Sequence, residues 1–425
     1  MKTFLILSSI LLTTSIYAED GANCSIGEPN AIYTAKWQEK EMCLDPFSTI
    51  CKYSDDSDHY YKRAQDTLDV IKQNAMDSVY NRFGASLKKR GILGISNHNF
   101  NKVTSSAVQA CINDNECSSS TQLPDSLSNK ELDVVVEALT KIEYMKKVNS
   151  LMDKKLDMAH EAYKLVQEKM VQIVKKELSK KLTSDELKQQ VDLLKETKGL
   201  FSSSKKSLDF NFPNLTDEQK KVIGDDFDKT CFNDLDHIHN QFFTSHWFDN
   251  VEYNIVITCP AETFASLQGA NTLHSIYSVL AFGLAHELGH EISFDRVKDN
   301  MMDKYNECMK STIPSSELSS SPEDYTDESE ADFWAKRFLG ESLKEMKDYP
   351  VEEKIHFLKE TFMGICESED DGIHHSTKLR VNKTLRITPE FRDTFNCSAI
   401  SHQMRLREPI DCGLDGAKYI MVPEL

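Results

Sequence analysis

Residues 276–290 read Ile-Tyr-Ser-Val-Leu-Ala-Phe-Gly-Leu-Ala-His286-Glu287-Leu288-Gly289-His290. The apolar run to Leu284 predicts a buried helix rather than a solvated charged face. On a helix, residues four apart share a face, so His286 and His290 can both reach one metal ion. Glu287 stands next to His286 and can serve as the base toward a zinc-held water. A purely structural zinc would favour four Cys or His ligands and has no use for Glu287.

A third ligand is needed. Glu328-Ser329-Glu330-Ala331-Asp332 reads E-x-x-A-D. If this segment is helical, Glu328 and Asp332 share a face. Glu328 then completes a two-His, one-Glu site and leaves a fourth position for water. Asp332 can accept the far N–H of a ligand histidine and set its tautomer. Glu330 is the rival, but it points about 200° around the helix from Glu328. The bland reading of residues 316–332 is an acidic, solvated face. One Zn2+ per chain is the expected cofactor.

H-E-x-x-H followed by E-x-x-A-D also occurs in CAAX-processing and HtpX-type membrane proteases, which carry several membrane spans. The C-terminal region points elsewhere. His374-His375-Ser376-Thr377-Lys378-Leu379-Arg380-Val381-Asn382-Lys383-Thr384-Leu385 precedes Glu390-Phe391 and Phe395-Asn396-Cys397. Near the N-terminus, Cys43 and Cys51 enclose Leu-Asp-Pro-Phe-Ser-Thr-Ile. Asn254-Ile255-Val256 and Pro260-Ala261 precede the motif helix. Together these resemble the neprilysin and endothelin-converting-enzyme family of zinc metallopeptidases, over roughly residues 240–412 and by motif over 43–51.

The resemblance implies a mainly α, two-lobed, gluzincin-type metallopeptidase. A helical lobe would span 19–240, with 43–51 stapled to a catalytic lobe at 241–425 that carries a small β element. It implies that His374 donates to the oxyanion and that Arg380, six residues on, binds a substrate backbone carbonyl. It also implies Cys43 paired with Cys397, Cys51 with Cys366 and Cys308 with Cys412. The chain departs from the pattern where Ser245-His246-Trp247-Phe248 replaces the expected Asn-Ala pair, and in the shorter helical region and shorter gap between motifs. The expected activity is hydrolysis of peptide or protein substrates. The alternatives are an inactive, zinc-stabilised secreted binding protein or a soluble relative of the CAAX-processing and HtpX-type proteases.

Of the 11 cysteines, Cys111 and Cys117 could close a local loop, Cys231 and Cys259 could join the two halves, and Cys24 is left over. Metal binding by cysteine is the competing use. Residues 1–18 read as a signal peptide: Lys2 is the basic start, Phe4 to Leu12 the apolar centre, Ala18 the small residue at the cleavage site. Secretion into an oxidising compartment follows, without stable membrane insertion. The formal charge of −18 speaks against nucleic acid or an anionic membrane surface as partner. Oligomeric state is not legible.

Residues 58–90 and a segment from Val103 to Cys111 predict helices. The stretch from Ser128 to Thr197 predicts at least two more, opened by capping boxes at Ser128–Glu131 and Thr183–Glu186. Ser202–Lys206 with Asn211–Asn214 reads as a linker. Thr216–Gln219 opens another helix, Ile255–Thr258 a short strand, and Ser311–Asp327 an exposed loop. Asn23, Asn214, Asn382 and Asn396 begin N-x-[ST] sequons.

Overall fold

The computed structural model describes residues 41–51, 60–89, 127–232, 243–248, 253–292, 302–312, 326–366, 376–397 and 409–419. All belong to one compact unit, residues 39–425. Outside the described residues lie the expected signal peptide, the 103–111 helix, Cys24, Cys111, Cys117, His374 and most of the 311–327 loop. Among the described residues the fold is mainly α, and no helix is long and apolar enough to cross a membrane.

The helices are α1 (Pro46–Ile50), α2 (Tyr60–Lys89), α3 (Asn129–Met152), α4 (Leu156–Leu178), α5 (Ser184–Glu196), α6 (Lys205–Asn211), α7 (Asp217–Phe232), α8 (Pro260–Ser266), α9 (Leu273–Glu291), α10 (Asp303–Thr312), α11 (Thr326–Glu345), α12 (Val351–Thr361), α13 (Met363–Cys366), α14 (Thr377–Arg386) and α15 (Pro389–Thr394). The long stretch after Ser128 thus resolves into α3, α4 and α5. Both capping boxes form: Glu131 accepts from the Ser128 N–H at 2.8 Å, and Glu186 from the Thr183 N–H at 2.7 Å. Each satisfies backbone donors that the helix itself leaves unpaired. At the α3–α4 break, Lys155 Nζ donates to the Leu267 and Ala270 carbonyls at 2.7 and 2.6 Å. That contact ties the break to the end of α8.

The linker expected over 202–214 is instead ordered. Ser204 caps α6, whose Leu208 and Asn211 are buried. Ser202 donates to Asn149 at 3.0 Å, Ser203 to Asp228 at 2.6 Å and Ser204 to Asp153 at 2.7 Å. Polar composition suggested flexibility, but these hydroxyls have fixed partners on α3, α7 and the break after α3. Local sequence cannot show such partners.

Three strands, β1 (Lys198–Leu200), β2 (Phe243–Phe248) and β3 (Tyr253–Thr258), form a sheet in the order β1-β3-β2. β3 is parallel to β1 and antiparallel to β2. Ile255, Val256 and Ile257 of the central strand are all fully buried, as a strand covered on both faces requires. Strands β4 (Pro409–Gly413) and β5 (Gly416–Tyr419) make a hairpin. Helix α9 lies at the centre, against α4, α11, α12 and β2. Thr272 caps it, and it is buried on nearly every side from Ile276 to Gly289. The β1–β3 pairing and the α4–α9 contact both cross residue 240, so the segments before and after it share one core.

Among the described residues, four cysteine pairs have disulfide geometry: Cys43–Cys397, Cys51–Cys366, Cys231–Cys259 and Cys308–Cys412, with Cα–Cα distances of 5.2, 5.2, 5.2 and 5.7 Å. The first two hold α1 against the C-terminal helices across 354 and 315 residues. Closing one such loop constrains the unfolded chain by about 5 kcal/mol in the entropy model. Non-reducing peptide mapping should recover Cys43 joined to Cys397 and Cys51 joined to Cys366. A local Cys43–Cys51 bridge would contradict the placement of α1.

Candidate metal centre

Two helices build the site. Helix α9 presents His286 and His290 from successive turns, with ring centroids 4.9 Å apart and planes at 89°. Helix α11 presents Glu328 and Asp332, again four residues apart. Glu328 Oε2 stands 3.0 Å from His286 Nε2 and 3.5 Å from His290 Nε2. The three donor atoms all lie within 4.8 Å of one another. Ligands on a tetrahedral zinc with bonds of about 2.0–2.1 Å sit about 3.3 Å apart. Two nitrogens and one oxygen this close together could hold a metal ion. Glu287 is adjacent and only 8% exposed. Glu330, the rival acid, instead accepts from Asn306 Nδ2 on α10 at 3.3 Å.

Behind the ligands is a buried relay. His286 Nδ1 lies 2.9 Å from Asp332 Oδ1. Arg380 of α14 donates to the same carboxylate twice, from Nε at 3.0 Å and from an Nη at 2.7 Å. Burial alone would raise the Asp332 pKa. The Arg380 charge, with the hydrogen bonds from His286 and Arg380, overcomes burial and holds it well below the usual carboxylate range. An ionised Asp332 accepts from His286 Nδ1–H, which leaves Nε2 as the donor atom facing Glu328.

No family model, curated protein or solved structure matches this chain. The geometry therefore stands by itself.

It brings together four of the seven expected site residues, His286, His290, Glu328 and Asp332, with Glu287 next to His286 on α9. Arg380 is close by, and two donors of its fork go to Asp332, because an ionised buried carboxylate demands a hydrogen-bonded countercharge. The seventh, His374, lies outside the described residues.

The surroundings of two residues of α14 were not anticipated. Lys383 is 6% exposed, and among the described residues its amine has no hydrogen-bond partner. Burial brings its pKa down to about 7, against the opposing pull of Asp332. Its sequence signal was its place one turn beyond Arg380, on the same helix face. Asn382, noted as part of the C-terminal motif and as a sequon, holds the N-terminal segment: Nδ2 donates to Asp45 at 2.9 Å and Oδ1 accepts from the Phe47 N–H at 2.8 Å.

Metal-free, His286 has its pKa pushed up to about 9: burial lowers it, but the hydrogen bonds to Asp332 and Glu328 raise it more. A group raised in the folded state stabilises fully below its unfolded pKa of about 6.5 and loses that contribution as pH rises through the folded value. Metal-free stability should therefore fall between about pH 6.5 and 9. Zinc uptake, which needs the neutral ring, should tighten over the same range. Titration calorimetry at pH 7.5 in two buffers of different ionisation enthalpy should show about one proton released per ion. Uptake without proton release would mean that His286 is already neutral.

Arg380→Ala leaves Asp332 as a buried charge without its main partner. The expected cost is about 3–5 kcal/mol in denaturant unfolding, with zinc affinity down about 10–100-fold. An Arg380→Ala protein as stable as the parent would show that Asp332 does not depend on this pair.

Proposed function

We propose that this chain is a secreted, zinc-dependent peptidase of the gluzincin type, related to the neprilysin and endothelin-converting-enzyme proteases. The observation that carries the reading is the convergence of His286, His290 and Glu328 beside Glu287, with Asp332 behind His286. A structural metal site would be served by the three ligands and a fourth side chain. A base next to an open fourth position serves hydrolysis.

His286, His290 and Glu328 would hold the zinc, which would supply Lewis acidity toward a water and a scissile carbonyl. Glu287 takes the proton of the attacking water and passes it to the leaving amine. Asp332 holds the His286 tautomer, and Arg380 holds Asp332. His374, by the resemblance, donates to the oxyanion that develops on the carbonyl. Strand β2, which among the described residues has a ladder partner on one side only and packs on α9, suits an extended peptide laid beside it. Disulfides spread over the chain support an oxidising compartment.

The decisive experiment is a peptide-cleavage assay with and without chelator, run beside metal analysis of three variants. Glu287→Gln should keep one zinc per chain and lose cleavage by about 100-fold or more. Glu328→Ala should lose zinc and activity together, whereas Glu330→Ala should keep both. Normal turnover by Glu287→Gln would remove the mechanism. A zinc-replete parent without cleavage of any peptide would favour the binding-protein reading.

A further inference from the structure

Helices α9 and α11 meet at Gly289 and Ala331. A Cβ built on Gly289 would lie 3.0 Å from the Ala331 Cα, 3.0 Å from the Ala331 carbonyl oxygen and 3.2 Å from Trp334 Cβ. Two of these are backbone atoms, which cannot swing aside as a side-chain tip can. A side chain at position 289 would therefore crowd α11, which must give by a few tenths of an ångström to accept it.

Gly289 is not there for its backbone freedom. Among the described residues the one glycine with positive φ is Gly269, and a helical backbone favours alanine over glycine. The close approach is what excludes a side chain. Its place relative to the ligands is the same on both helices. Gly289 stands three residues after His286 and one before His290, and Ala331 stands three after Glu328 and one before Asp332. The crossing therefore falls beside the four groups that must meet. His286 bridges it twice, to Asp332 at 2.9 Å and to Glu328 at 3.0 Å. One rigid ring cannot keep both contacts if α11 retreats.

Resting on the metal-centre reading above, we propose that Gly289, seated on Ala331, is a positioning residue. It sets the α9–α11 distance at which Glu328 and Asp332 engage His286. It touches no metal and no substrate.

The test is zinc affinity of the full chain, measured by chelator competition, together with the visible spectrum of the Co2+-loaded protein. Gly289→Ala should bind zinc about 10–100-fold more weakly, the range for losing a group that orients a ligand. Its Co2+ bands should shift, while the circular dichroism of the metal-free protein stays helical. Ala331→Val crowds the same crossing from α11 and should act in the same direction. Gly364→Ala, where a Cβ meets nothing within 4 Å, should behave as the parent. Affinity within two-fold of the parent for Gly289→Ala overturns the proposal. So does loss of the helical fold in both crowding variants, because the crossing would then serve the fold rather than the site. A parent chain that takes up no zinc instead sinks the metal-centre reading itself, an outcome read before any variant is compared.

Discussion

The site depends on one buried carboxylate. Asp332 accepts from His286 on one helix and from Arg380 on another, so three helices converge on two oxygens. An ionised carboxylate in the interior is tolerated only while such partners stay in place. The requirement works in both directions. Asp332 orients the histidine that faces Glu328, and the same charge holds α14 against α11. Removing Asp332 or Arg380 would disturb the His286, His290 and Glu328 cluster without touching any of its three members.

Helix α14 is in turn secured from the far end of the chain. Asn382, two residues after Arg380, grips Asp45 and the Phe47 N–H of the α1 segment. The Cys43–Cys397 and Cys51–Cys366 pairs clamp that segment on either side. A short N-terminal stretch thereby takes part in positioning Arg380, although more than 300 residues separate the bridged cysteines. Long loops closed by covalent bonds also limit the conformations open to the unfolded chain. A second set of buried charges anchors the C-terminal hairpin. Lys336 donates to the Cys412 carbonyl, and Arg337 lies 3.2 Å from Asp411. Cys308–Cys412 closes that region against α10. Helices α9 and α11 are therefore held by paired charge and disulfide at their edges, and by an apolar core along α9.

Much of this was legible in the chain itself, for a local reason. Helix periodicity is a property of neighbouring residues, so the spacing of His286 and His290, and of Glu328 and Asp332, already placed each pair on one face. Capping boxes at Ser128 and Thr183 are likewise local, and both form as read. The apolar run before His286 announced a buried helix because few polar groups there need water. Tertiary structure decided what local pattern leaves open. Whether Glu328 or Glu330 meets the histidines depends on how α11 crosses α9, and that crossing is permitted by the missing side chain of Gly289. That Arg380 reaches Asp332 depends on where an ionised carboxylate is buried. The serines at 202–204 looked like a linker because their partners, Asn149, Asp228 and Asp153, are distant in sequence. Lys383 shares a helix face with Arg380, but its burial depends on the elements packed over that face. Sequence alone determined which chemical groups stand together on each helix. Only packing determined which of them face one another, because distances between helices are set by the side chains in contact, not by spacing along either chain.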